Sequence, residues 1–132
     1  MPTGLPRVPG HEIVGDVVAV SKSEKRFKVN DRVGGGWHGG HCFTCPSCRK
    51  GDFVTCQNAN INGIMTDGGY QEYVLLRSEA VVAIDPKMDP YEAAPLLCAG
   101  VTVYNSARHM NVHPGDVVAV QGIGGLGKPR PR

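Results

Sequence analysis

Residues Gly34 to Cys56, GGGWHGGHCFTCPSCRKGDFVTC, carry six glycines and four of the five cysteines of the chain. Little apolar periodicity runs through this stretch, so burial of a hydrophobic face cannot order it and a cross-link must. Cys42, Cys45, Cys48 and Cys56 are spaced C-x2-C-x2-C-x7-C. Three thiolates can converge from tight turns while a longer loop returns the fourth. That donor set suits tetrahedral Zn(II), which binds sulfur at about 2.3 Å and supplies folding energy directly to a lobe without a core. An iron–sulfur cluster is the first competitor, and a disulfide pair or a redox C-x-x-C is the second.

On the N-terminal side of the lobe, MPTGLPRVPG holds three prolines and two glycines and reads as an extended approach. His11 to Ser21 (HEIVGDVVAVS) is rich in Val and Ile and predicts a strand, followed by a charged turn over Ser23 to Lys28 and a second strand from Asp31-Arg32-Val33. On the C-terminal side, Asp67-Gly68-Gly69 is a turn signal, and Tyr70 to Arg77 and Ala80 to Ile84 predict two further antiparallel strands. Asp89-Pro90-Tyr91-Glu92 then opens a helical region. Aspartate stands at the N-cap, proline at the first helical position and glutamate at the third, with helix expected, in pieces, to about His109. Pro114-Gly115-Asp116 resets the chain into a short apolar strand, Val117 to Val120, ending at Gly122-Ile123-Gly124-Gly125-Leu126-Gly127.

The chain has 132 residues, 41% hydrophobic and 20% charged, which is the composition of one folded domain. Eighteen glycines and ten prolines imply many turns and short elements rather than a helical bundle. The formal charge of +2 comes from the end of the chain: Lys128, Arg130 and Arg132 lie in the last five residues, and without them 11 basic face 12 acidic side chains. A near-neutral body offers no basic face for nucleic acid or an anionic membrane. No apolar run has the length of a membrane span, and residues 1 to 13 lack the apolar core of a signal peptide. A cytoplasmic location with reduced thiols is expected.

His11 and Glu12, at the head of the first strand, and Cys98, in the helical region, are weak signals singly. Together they form a candidate site, because imidazole and thiolate are the mixed ligands that leave zinc an open position for a polarised oxygen. Glu12 is placed to tune such a metal through a ligand or to join it transiently.

Gly10-His11-Glu12, the cysteine lobe, Asp67-Gly68-Gly69-Tyr70 with Glu72-Tyr73-Val74, APLLCAGVTVY at 94 to 104, and the Gly122 to Gly127 loop occur in the order seen in one family. The chain resembles the zinc-dependent alcohol dehydrogenases of the medium-chain dehydrogenase/reductase family, over nearly its whole length apart from the basic tail. The resemblance implies a mainly β fold with short helices (α+β), a GroES-like β-barrel catalytic domain over residues 1–110. A structural zinc lobe at about 34–60 lies within it. Residues 111–127 would begin a Rossmann domain with its first strand and glycine turn, and 128–132 would be a basic tail. By resemblance, Cys42, Cys45, Cys48 and Cys56 bind structural zinc, His11 and Cys98 are two ligands of catalytic zinc, and Glu12 is the acid beside it. Trp37 is then a substrate-pocket residue, with packing beside a glycine turn as the alternative.

In the family, zinc polarises an alcohol oxygen and hydride passes to NAD or NADP, the substrates are small alcohols and aldehydes, and the relatives are homo-oligomers. The family pattern supplies a further zinc cysteine upstream of the position that is Met1 here. The glycines Gly122, Gly124, Gly125 and Gly127 match the dinucleotide fingerprint, which needs a following helix. Pro129 and Pro131 oppose that helix. The expectation is therefore an enzyme incomplete at both ends, a fragment with an inactive cofactor loop. A non-catalytic zinc-binding interaction module is the alternative, and a thiol-disulfide oxidoreductase using Cys42 and Cys45 lacks the βαβ context it needs.

Overall fold

The computed structural model describes residues 4–122 and 124–127. Two small antiparallel sheets carry the fold. Strands β1 (Ile13–Asp16), β2 (Arg32–Gly35) and β5 (Val81–Ala83) form a three-stranded sheet in the order β1-β2-β5, and β3 (His38–Gly40) pairs with β4 (Asn60–Ile61). Register places Ile13 opposite Gly35 and Gly35 opposite Val81, so one row across the larger sheet reads Ile-Gly-Val. Ile13 and Val81 are buried, and the Leu76 side chain lies against Gly35 and fills the space its missing Cβ leaves.

The opposite face explains the glycine run of β2. Side chains alternate along a strand, so Gly34 presents bare backbone on the face that Gly35 does not. The Leu97 and Ile84 side chains rest there, and a Cβ added at Gly34 would lie 2.7 Å from Leu97 Cδ1. A Cβ added at Gly36 would lie 2.5 Å from the Leu97 carbonyl oxygen. The short 3-10 turn Ala94–Leu97 is thereby seated directly on the sheet. It is preceded by α2 (Pro90–Ala93) and followed by α3 (Ala99–His109). The predicted cap is in place, with Pro90 in the first turn and the Asp89 carboxylate accepting the Tyr91 N–H at 2.9 Å.

Three predicted strands differ from what forms. Of His11 to Ser21, only Ile13–Asp16 joins the ladder, although Val17 continues it with bonds to Asn30 and Asp31. Residues 70–77 make no ladder among the described residues. The Asp67-Gly68-Gly69 segment forms no hairpin turn and serves another purpose: Gly68, Gly69 and Tyr70 donate to the carbonyls of Val8, Gly10 and Pro9 at 2.8, 3.0 and 3.1 Å. Asp67 Oδ1 accepts from Val8 N–H at 3.2 Å and Arg7 Nη1 at 3.1 Å. The motif thus clamps the segment leading into His11. Residues 117–120, expected as a Rossmann strand, form no strand and have no ladder partner among the described residues, with Val117 99% exposed. β-Branched composition favours a pleated surface, but a strand exists only where a neighbour accepts its hydrogen bonds. The mainly β reading with short helices holds. The basic tail and Ile123 lie outside the described residues, and among those described no helix is long and apolar enough to cross a membrane.

Candidate functional site

The lobe between β3 and β4 is ordered by its cysteines. Cys45, Cys48 and Cys56 are buried and form their own cluster, with Cys42 and Ala59 packed against it. Pro46 starts the single-turn α1 (Pro46–Arg49), which buries Cys48, while Cys45 sits at its N-cap. All four Sγ atoms lie within 4.8 Å of one another. Three of the separations are Cys42–Cys56 3.6 Å, Cys45–Cys56 3.9 Å and Cys42–Cys48 4.0 Å. A disulfide needs about 2.05 Å. A tetrahedron with zinc–sulfur bonds of about 2.3 Å has edges of about 3.8 Å, so the sulfurs already stand at ligand spacing.

The protonation chemistry fits the same group. The Thr44 hydroxyl, then the Thr44 and Cys45 N–H groups and the Asn58 side chain, pull the Cys42 thiol down to about 5. Backbone N–H groups of Cys48 and Gln57 lower Cys45. Burial, helped by the Cys45 and Cys56 thiols, pushes Cys48 up to about 12. Sulfurs crowded this closely cannot all ionise unless a cation shares the space, and a dication supplies that charge.

The second site is assembled by the packing of Leu97 on the glycines of β2. His11 stands just before β1 and Cys98 just after the 3-10 turn. Cys98 Sγ lies 3.3 Å from His11 Nε2, both side chains half-buried. Glu12 Oε1 accepts the Ala99 N–H at 3.4 Å. Cys98, at the N-cap of α3, makes no side-chain cap bond, so Glu12 serves the helix end from another element. Trp37 follows Gly36, which touches Leu97, and its side chain is partly exposed. Of the dinucleotide fingerprint, Gly122 has φ +95°, Gly127 donates to the Gly124 carbonyl at 3.1 Å, and Gly124 and Gly125 have open space where a Cβ would stand.

Two features escaped the sequence reading. Glu12 as partner of the α3 end is one. The other is an imidazole pair, half-buried His38 Nε2 to buried His41 Nδ1 at 2.9 Å, just before Cys42. Burial, and then His41, pushes the His38 pKa down. An i,i+3 pair of histidines carries no recognisable signal in a glycine-rich stretch.

A small β domain built around a four-thiolate metal lobe, with a separate imidazole–thiolate pair, is the class that fold and site define. The chain belongs to the alcohol dehydrogenase GroES-like domain family, whose model matches residues 1–86. It is 57% identical over 124 residues to alcohol dehydrogenase patD of Aspergillus clavatus, covering 94% of this chain and 32% of that protein. In structure it resembles CAD from Helicobacter pylori complexed with NADP(H), with a TM-score of 0.87 and 32% identity, over 95% of this chain and 39% of that one. It likewise resembles the cobalt- and zinc-bound thermostable alcohol dehydrogenase of Pyrobaculum aerophilum, with a TM-score of 0.76 and 30% identity, over 86% and 34% of the two chains. The chain spans about a third of the length of the curated relatives it matches.

Proposed function

We propose that this chain is the metal-holding β domain of a zinc-dependent alcohol dehydrogenase, which transfers hydride between a primary or secondary alcohol and NAD or NADP in the cytoplasm. The observation that carries the reading is the meeting of His11 and Cys98 beside Glu12, in a family domain that also holds four thiols at zinc spacing. In this reading residues 1–110 are the catalytic domain, 111–127 begin the cofactor domain, and 128–132 form a tail.

Cys42, Cys45, Cys48 and Cys56 would hold structural zinc, which stabilises the lobe. His11 Nε2 and Cys98 Sγ would be two ligands of a second zinc, whose chemistry when bound is to polarise the alcohol oxygen. Glu12 keeps the end of α3 against His11 and so holds the two donors together. Trp37 would border the alcohol or aldehyde, and the Gly122 to Gly127 backbone would approach a dinucleotide. Homo-oligomers are expected of the whole enzyme.

Zinc and iron per chain, measured on protein purified without chelator and paired with a free-thiol count, test the metal reading. Zinc with reduced thiols is the expected result. Iron, or no metal with oxidised thiols, would overturn it. The 132-residue chain alone is expected to show no turnover with NAD or NADP, since His11 and Cys98 are the only thiol and imidazole that meet at this site among the described residues. Zinc-dependent turnover would sink that expectation.

A further inference from the structure

We infer that His38 and His41 form a partly buried imidazole anchor that ties the cysteine lobe to the rest of the domain and sets the position of Cys42. The inference rests on the reading that the lobe holds zinc.

His41 is 4% exposed, although it lies in a loop and next to a metal-site cysteine. Three parts of the lobe and its base converge on its ring. Phe53, from the long return loop, stacks on it with centroids 4.0 Å apart and planes at 21°. Phe43, from the turn between Cys42 and Cys45, meets it edge-on at 4.3 Å. His38, on β3, bonds its Nδ1 at 2.9 Å. The His41 carbonyl accepts from Arg77 Nη2 at 3.4 Å, and Arg77 in turn pairs with Glu79 at 2.6 Å beside β5. His41 therefore connects both loops of the lobe, the small sheet and the edge of the large one.

The backbone next to it shows what the anchor holds. Phe43 has φ +61°, a left-handed conformation that costs a residue with a Cβ. This kink folds the chain so that Cys45 N–H donates to Cys42 Sγ at 3.4 Å. The Phe43–His41 contact is the packing that opposes its relaxation.

The inter-ring bond uses one nitrogen of each imidazole. A neutral imidazole carries one N–H, so whichever ring donates across the 2.9 Å contact, one N–H and one lone pair remain. The outer nitrogens, His38 Nδ1 and His41 Nε2, are buried and have no partner among the described residues. Two phenyl rings would fill the same space without this bond. What imidazole adds is a directional edge bond, fixing the rotation of the His41 ring between its two phenylalanines.

The test is the rate of zinc release from the full chain to a chromophoric chelator, for wild type and for H41A, H41F and H38F, with H113A as reference. Cobalt(II) spectra accompany each, to verify that the four-thiolate ligand set persists. H41A is expected to release zinc about 10-fold faster or more, as for the loss of other groups that orient metal ligands. H41F should recover only part of the difference, because it restores stacking without the edge bond. H38F keeps His41 and the lobe intact, so it carries the test if H41A does not fold, and it too should release faster. Wild-type rates in H38F and H41F would overturn the anchor, as would an equal acceleration in H113A. Absence of bound zinc in the wild-type chain would instead overturn the zinc reading.

Discussion

Cys98 Sγ and His11 Nε2 stand 3.3 Å apart across 87 residues of chain, brought together where Leu97 packs on Gly34 and Gly36. Two donors bind a metal less tightly than four, because fewer bonds offset the loss of hydrated ligands. With the lobe already loaded, a second zinc is expected to bind at least about 100-fold more weakly than the first. H11A and C98A should each abolish it and leave the first equivalent unchanged. Competition with chelators of graded affinity measures both steps. Equal affinities would mean that further ligands complete this site.

Gly36 controls the same contact from the sheet. Its missing Cβ leaves room for the Leu97 carbonyl, which would otherwise meet it at 2.5 Å. Because the obstacle is backbone, Gly36→Ala must displace the segment that carries Cys98. A cost of about 1–3 kcal/mol in denaturant unfolding is expected, together with loss of the second zinc but not the first. Gly4→Ala, where nothing lies within 4 Å, should leave both unchanged.

The lobe depends on all four sulfurs. Three of its cysteines are its only buried side chains apart from His41, so no apolar core replaces a lost ligand. Changing Cys56 to Ser, in a site where its sulfur lies 3.6 Å from Cys42 and 3.9 Å from Cys45, should lower zinc affinity by about 100-fold or more. Chelator treatment of the wild type should reproduce the same change in limited proteolysis, with new cuts confined to residues 42–59. Protection unchanged by chelator would show that something other than metal orders the loop.

What could be read from the chain follows the range of each interaction. The four cysteines span 15 positions, so spacing alone specifies a metal-binding loop, and the Asp89-Pro90 cap is settled within one turn. His11 and Cys98 pair through their donor chemistry and the resemblance, since nothing local in either residue points to the other. Gly36 was legible as a glycine but not as the seat of Leu97, which is a contact between distant backbones. Asp67-Gly68-Gly69 signals a hairpin turn, yet its bonds run back to residues 8–10 and no turn forms there. Residues 70–77 and 117–120 show the same limit from the other side: their composition favours strands, and the missing element is a neighbour.

Asp16 and Arg32 give the larger sheet a pH dependence that can be isolated. They face each other in register across β1 and β2, with Arg32 Nε to Asp16 Oδ1 at 2.9 Å and Nη2 to Oδ2 at 3.2 Å. The Arg32 hydrogen bonds, with its charge, hold the Asp16 carboxyl below its ordinary 3.8. A group whose pKa is lower in the folded than in the unfolded chain binds fewer protons when folded, so its contribution to stability is present above 3.8 and lost as pH falls through the lower folded value. Asp16→Asn should therefore be less stable than wild type at pH 7, with the difference closing below that value. Acid also releases metal from thiolates, but it does so in both proteins and cancels in the comparison. Because the pair is partly exposed, the difference at pH 7 should shrink in about 1 M salt. A gap that persists at acid pH and in high salt would assign the effect of Asp16 to packing rather than to its charge.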